Sequence, residues 1–373
     1  MKIASAISYC VLFTIISCAF PGSPARSSEQ KAQCIIGADV SSCPRVEDGG
    51  GRFSDGGIEA DPLEILKTHH FTHVRLRLWH SPADGVNGLE ETITMARRAK
   101  DAGFGLLLDI HYCDTWADPG RQAKPAAWSG LPFETLVDSV RQYTASVIEA
   151  LRARGAPPDI VQIGNEISCG MLWDEGRVCQ TFDTPGQWDR LAALVTAGVS
   201  GVRAGAEPPA VLIHFDNGGD APAAVRFYDE LAARGVEYDL IGLSYYPWWH
   251  GPLEALASTL DTLAARYGKG IILAETAYPW TLGWSDDTHN PVGLEEHLLP
   301  GYPATVDGQR VFIERLIRIV LGVKDGRGLG LFYWEPCWIP APSYGSPWEN
   351  CALFDFSGAA LRSIDAARTA CDR

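Results

Sequence analysis

The sequence predicts an α/β fold, a single (β/α)8 barrel. Eight short, β-rich apolar runs alternate with amphipathic segments rich in Ala, Leu, Arg and Glu, and strands that alternate with helices form parallel βαβ units. A doubly wound sheet would normally offer a glycine-rich phosphate loop after an early strand, and no G-x-G-x-x-G or G-x-x-x-x-G-K stretch is present. The long segments 41–60, 112–132, 279–310 and 337–351 all follow strands. In a barrel such segments build the C-terminal face, where active sites sit.

Taken in chain order, residues 1–27 read as an export signal. Lys2 is the only early charge, an apolar stretch runs from Ile3 to Phe20, and PGSPARSSEQ follows. The barrel domain is then 28–373, secreted or periplasmic. Ile15-Ile16-Ser17-Cys18 also resembles a bacterial lipoprotein box, which would make Cys18 a lipid anchor on the outer surface. The strands then come as CIIGADV (34–40), THVRLRLW (72–79), GFGLLLDIHY (103–112) and DIVQIGNE (159–166). Four more follow: AVLIHFDN (210–217), DLIGLSYY (239–246), GIILAETAY (270–278) and GLGLFYWEP (328–336). Helical apolar spacing marks 89–103, 133–155 and 252–270, the second ending on Gly155 as a C-cap.

Composition narrows the function. A hydrophobic content of 46% suffices for a large core, and the net charge of −15 argues against nucleic acid or an anionic membrane surface as partner. Of ten cysteines, Cys10 and Cys18 fall in the leader. Among the other eight, Cys34–Cys43, Cys169–Cys179 and Cys337–Cys351 are short-loop candidates for disulfides, although spacing leaves connectivity open. No C-x-x-C or H-E-x-x-H spacing points to zinc.

The strand ends carry the chemistry. Nearly every run finishes on polar or aromatic residues: Asp39; Arg75, Arg77 and Trp79; Asp109, His111 and Tyr112; Asn165 and Glu166; His214, Asp216 and Asn217; Ser244, Tyr245 and Tyr246; Glu275; Trp334 and Glu335. A single polar terminus is easily a satisfied core group. Eight on one barrel rim point to a site, because buried polar groups destabilise unless paired. Glu166 and Glu275 close strands four and seven, across the barrel from each other. Two opposed carboxylates are what glycoside hydrolysis needs, one protonated to donate to the leaving oxygen and one ionised to attack the anomeric carbon. Arg75 is placed to keep the nucleophile ionised, and Asn165 to bind the sugar 2-hydroxyl. Trp116, Trp128, Trp173, Trp248, Trp249, Trp334 and Trp338 fall in strand ends or the loops after them and offer flat platforms for sugar rings. Trp188 reads as core.

A Glu after Asn ending strand four, with a second Glu ending strand seven, resembles clan A retaining glycoside hydrolases. VRLRLWHSPADG (74–85), DIHYCDTWADPGRQAKPAAW (109–128), IGNEISCGMLW (163–173), HFDNG (214–218), SYYPWW (244–249), ETAYP (275–279) and GLFYWEPCWIP (330–340) together resemble glycoside hydrolase family 53. The matching stretches run from about residue 35 to 360. That resemblance implies an endo-β-1,4-galactanase acting on galactan of type I arabinogalactan and pectin. It makes Glu166 the acid/base and Glu275 the nucleophile of a double displacement, with carboxylates about 5–5.5 Å apart. It places Arg75, His111, Asn165, His214 and Tyr246 in the reacting subsite, and Trp116, Asp118, Trp128 and Trp334 along the cleft. Asp39 and Asn217, at the ends of strands one and five, join the substrate-binding residues.

By the same resemblance no cofactor is needed for catalysis, the protein is a monomer, and a structural calcium belongs in the loops after strands seven and eight. Asp286, Asp287, His289 and Asn290 offer the oxygens that suit it, and a solvated acidic loop is the competing reading. Cys113 departs from the Ser of many relatives. The rival functions are another clan A β-glycanase such as a mannanase, a non-catalytic surface glycan-binding barrel, and a metal-dependent hydrolase using His111 and His214. HYCDTWADP argues against the first and the intact carboxylate pair against the second.

Overall fold

The computed structural model describes residues 34–370; the export signal, Cys18 and Cys371 lie outside them. Eight strands form the barrel: β1 (Ile35–Asp39), β2 (His73–Leu78), β3 (Gly105–Ile110), β4 (Ile160–Ile163), β5 (Ala210–Phe215), β6 (Leu240–Tyr245), β7 (Gly270–Thr276) and β8 (Gly328–Tyr333). Each pairs in parallel with the next, and β1 pairs with both β2 and β8, so the sheet closes without a free edge. The expected helices form over Leu89–Asp101, Phe133–Ala153 and Leu253–Tyr267. Gly155 follows the second with φ +76°, a left-handed conformation that glycine adopts without Cβ strain. Helices Pro185–Arg203, Ala221–Ala233 and Val306–Leu321 begin at Thr184, Asp220 and Thr305, whose side chains accept from backbone N–H groups of the first turn. No helix among the described residues is long and apolar enough to cross a membrane.

Alternation along the strands explains where the site forms. Ile35, Leu107, Ile160, Leu212, Leu240, Ile272 and Phe332 form a separate small core cluster, one residue from each of seven strands. Two residues further along the same strands the same face carries Asp109, Gln162 and His214, and four residues beyond Ile35 it carries Asp39. The inward face thus changes from apolar to polar toward the C-terminal rim. Gly37 makes room for this packing, since a Cβ there would lie 2.1 Å from the Phe332 ring. Strand β7 needs a further adjustment. Strict alternation from Ile272 would turn Ala274 inward, but the register with β6 passes from Leu243↔Leu273 to Ser244↔Glu275. The skipped residue brings Glu275 onto the inward face.

Candidate active site

The loops after the strands enclose a cleft of about 570 Å³ at the C-terminal rim. Glu166 and Glu275 lie on its wall, with carboxylate oxygens within 4.8 Å of each other. Glu166, three residues past the end of β4, has φ +50°, and Tyr112 and Glu335, two past the ends of β3 and β8, have φ +53° and +52°. Non-glycine residues in the left-handed region carry strain that clusters at functional sites.

The two carboxylates have different surroundings. Glu275 accepts from the Arg75 guanidinium at 2.9 Å and from the Tyr246 hydroxyl at 3.0 Å. Burial raises its pKa, and those two donors oppose the rise. Among the described residues, the Glu166 carboxylate accepts from the Ser244 hydroxyl alone, at 2.6 Å. Its pKa is pushed well above the usual carboxylate range, first by burial and then by repulsion from Glu275. Of the pair, the surroundings of Glu166 favour the protonated form and those of Glu275, with Arg75 and Tyr246 donating to it, the carboxylate. Beneath them Arg75, 1% exposed, also bonds Asp39 at 2.7 Å, Asp109 at 2.8 Å and Asn165 Oδ1 at 2.9 Å. Burial pushes Asp109 up, but the Arg75 guanidinium and the hydrogen bond with His111 outweigh it and hold the carboxyl below its ordinary value.

A second buried pair supports the aromatic wall. Arg77 bonds Glu335, which also accepts from Ser42. The Arg77 guanidinium lies 4.2 Å from the Trp116 ring centroid. Trp116 meets Trp334 at 6.1 Å, and Trp334 meets Trp348 edge-on at 4.6 Å. Polar floor and aromatic flank together are how a protein holds a sugar.

Comparison with known proteins agrees. The profile of Glycosyl hydrolase family 53 matches residues 35–367. The chain belongs to glycosyl hydrolase family 53. A Niallia circulans protein described as uncharacterized, in the bgaB 5′ region, is 48% identical over 341 residues, covering 90% of this chain and 93% of that one. An arabinogalactan endo-β-1,4-galactanase of Thermothelomyces thermophilus is 35% identical, covering 88% and 97%. The Ignisphaera aggregans family 53 catalytic domain superposes with a TM-score of 0.86 at 38% identity, covering 94% and 98%. A structure of fungal β-1,4-galactanases gives 0.79 at 32% identity, covering 89% and 98%. The protein is thus a glycoside hydrolase with a closed parallel barrel, and hydrolases of this family need no cofactor for catalysis.

In this family 53 barrel, Arg75, His111, Asn165, Tyr246, Trp116, Asp118 and Trp334 line the cleft, as the sequence suggests. Four other expected contact residues do not. Asp39 and His214 are fully buried and serve as partners of Arg75 and Ser244. Trp128 is 7% exposed and packs against His80, Tyr112 and Tyr143, because the loop after β3 folds back over its own helix. Asn217 caps a turn through Gly219 N and borders a neighbouring hollow. Conversely, Asp216, His250, Pro291 and Trp348 line the cleft without having been singled out as contacts. Trp348 lies in a loop with no strand pattern, so only its density of aromatics gave a signal.

The reading that His111 and His214 hold a catalytic metal finds no free ring nitrogen. His111 uses Nε2 on Asp109 and Nδ1 on Ala117 N, and His214 uses Nε2 on Ser244 and Nδ1 toward Gln162 and Asn165. The loop expected to hold calcium brings part of the expected set together. Both Asp286 oxygens accept backbone N–H groups, of Thr288 at 2.6 Å and Ser346 at 2.8 Å. Asp287 and His289 are exposed, whereas Asn290 is buried, its amide beside Glu349 and the Ser346 and Pro347 carbonyls. Of the four, Asp286 and Asn290 meet the 346–349 segment, while Asp287 and His289 face solvent.

The cysteines correct the short-loop expectation. Cys43 contacts Cys337, and Cys169 contacts Cys179, as thiols. Cys43 follows β1 and Cys337 follows β8, which are adjacent in the closed barrel. The expected Cys34–Cys43 and Cys337–Cys351 partnerships are therefore replaced by Cys43–Cys337. Only Cys169–Cys179 matches the spacing argument.

Proposed function

We propose that the protein is an exported, monomeric endo-β-1,4-galactanase that cleaves galactan of type I arabinogalactan and pectin with retention of configuration. The approach of the Glu166 and Glu275 oxygens to within 4.8 Å carries the mechanistic reading. An inverting pair stands about 6.5–9.5 Å apart to admit a water, whereas a retaining pair stands about 5–5.5 Å apart. Glu275, turned toward its ionised form by Arg75 and Tyr246, attacks the anomeric carbon. Glu166 protonates the leaving oxygen. It then takes a proton from the water that releases the glycosyl–enzyme ester. Asn165, held by Arg75 through its Oδ1 and donating to Ala117 O, presents an ordered amide beside the reacting sugar. The linkage and sugar are supported by the Thermothelomyces thermophilus relative, named as an arabinogalactan endo-β-1,4-galactanase.

The test is the product profile from linear β-1,4-galactan, β-1,3-galactan and β-mannan, with Glu275→Gln as the blank. Short galacto-oligosaccharides from the β-1,4-linked polymer alone, first seen by NMR as the β-anomer, are expected. Cleavage of mannan would keep the chemistry and overturn the substrate. Binding without cleavage would make the barrel a glycan-capture protein. The N-terminus of the mature protein in culture medium distinguishes release at residue 28 from lipidation at Cys18.

A further inference from the structure

Ser244 is the penultimate residue of β6, fully buried and outside the cleft wall. Its Oγ lies 2.6 Å from Glu166 Oε1 and 2.9 Å from His214 Nε2. A hydroxyl has one proton. When Glu166 is ionised that proton goes to the carboxylate, so Oγ must accept from His214 Nε2–H. A neutral imidazole with its hydrogen on Nε2 has a bare Nδ1, which accepts from the Gln162 amide at 3.1 Å. The far end of Gln162 fixes this orientation: Arg75 donates to its Oε1 at 3.3 Å, which turns the amide nitrogen toward His214 and toward Asp109 Oδ1 at 2.7 Å. Nδ1 also lies 3.1 Å from Asn165 Oδ1, but that oxygen already accepts from Arg75 at 2.9 Å. Burial, first, and the nearby Arg75 charge keep His214 neutral, with Asp109 opposing them.

We propose that Ser244, held by His214, is a positioning residue that keeps Glu166 Oε1 as a hydrogen-bond acceptor, so that the catalytic proton rides on Oε2. The proposal rests on the acid/base role of Glu166 and specifies which of its oxygens acts. In the acid form the proton sits on Oε2, which receives no hydrogen bond from a described residue, and Glu166 itself lines the cleft. In the base form the same hydroxyl stabilises the carboxylate, and the histidine tautomer need not change between the two steps. The other charged groups facing Glu166 are Glu275 from β7, Asp216 after β5 and Arg75 from β2.

The experiment compares β-1,4-galactan with 2,4-dinitrophenyl β-galactobioside, whose leaving group needs no proton, for wild type, Ser244→Ala, Ser244→Thr and Glu166→Ala. Ser244→Ala is expected to lose about 10- to 100-fold in kcat/KM on galactan, the worth of one hydrogen bond to a charged group, and much less on the aryl glycoside. Because the Ser244 bond lowers the Glu166 pKa, its loss moves the basic limb of the galactan profile to higher pH. Ser244→Thr, which keeps the hydroxyl, restores most of the rate and the limb. His214→Gln, which keeps an N–H at the ε position, retains more activity than His214→Phe. Equal losses of Ser244→Ala on both substrates with an unmoved basic limb would overturn the proposal. If Ser244→Ala does not fold, equal rates for His214→Gln and His214→Phe would overturn it instead. If Glu166→Ala itself loses equally on both substrates, the acid/base assignment fails, and the proposal falls with it.

Discussion

Replacing Arg75 by Lys tests whether this side chain sets the ionisation of the nucleophile. One guanidinium reaches Asp39, Asp109 and Glu275 at 2.7, 2.8 and 2.9 Å. A lysine ammonium keeps the charge but is a single point without the planar fork. Drawn to the two fully buried aspartates, it leaves Glu275 about 1.5 Å further from the charge, at about 4.4 Å instead of 2.9 Å. With an effective dielectric constant of about 20, the attraction falls from about 5.7 to about 3.8 kcal/mol. That difference, about 1.9 kcal/mol, corresponds to a rise of about 1.4 units in the Glu275 pKa. Glu275 must be ionised to attack, so the acid limb of kcat/KM on β-1,4-galactan moves to higher pH by the same amount, while the limb set by Glu166 moves less. Initial rates between pH 3 and 9, with thermal melts at each pH, separate this from unfolding. An acid limb that stays in place in a folded Arg75→Lys protein would refute the reasoning.

Three further outcomes are expected. Trp249 is 58% exposed and on the cleft wall, so Trp249→Ala should leave the melting temperature unchanged and raise KM for galactan about three- to tenfold, the worth of one aromatic contact; an unchanged KM would remove Trp249 from the substrate path. Glu335→Ala strands the buried Arg77 and should cost about 3–5 kcal/mol in denaturant unfolding, Glu335→Gln less. Burial pushes the Glu335 carboxyl up to about 7, against Arg77, so its folded pKa lies above the unfolded value of about 4.3. Its contribution is therefore full below pH 4.3 and is lost as pH rises through about 7, and Glu335→Gln should flatten that decline in the melting curve. Protein refolded under air oxidation should yield Cys43–Cys337 and Cys169–Cys179 peptides on non-reducing digestion; recovery of Cys34–Cys43 would contradict the adjacency of β1 and β8.

The barrel was legible in the sequence because its physics is local and repetitive. A parallel strand buried on both faces reads as an unbroken apolar run, and eight of them separated by amphipathic helices leave little choice of architecture. The catalytic candidates were legible for a related reason: an apolar run that ends on Glu166 or Glu275 breaks the hydrophobic pattern where only a site or a paired charge is stable. What chain order cannot express is which neighbours meet across the closure. Cys43 and Cys337 lie far apart in sequence and become neighbours only because β1 pairs with β8. Strict alternation turns Glu275 away from the site, and the register shift beside Ala274 reverses this. His214 has the residue type of a substrate contact, yet a wall of packed groups shuts it from the cleft and gives it Ser244 as partner. Residue type and period therefore determined the fold and the chemistry available at its rim. Tertiary packing alone decided which of those groups face the substrate and which hold the others in place, because burial and hydrogen-bond geometry depend on strands far apart in the chain.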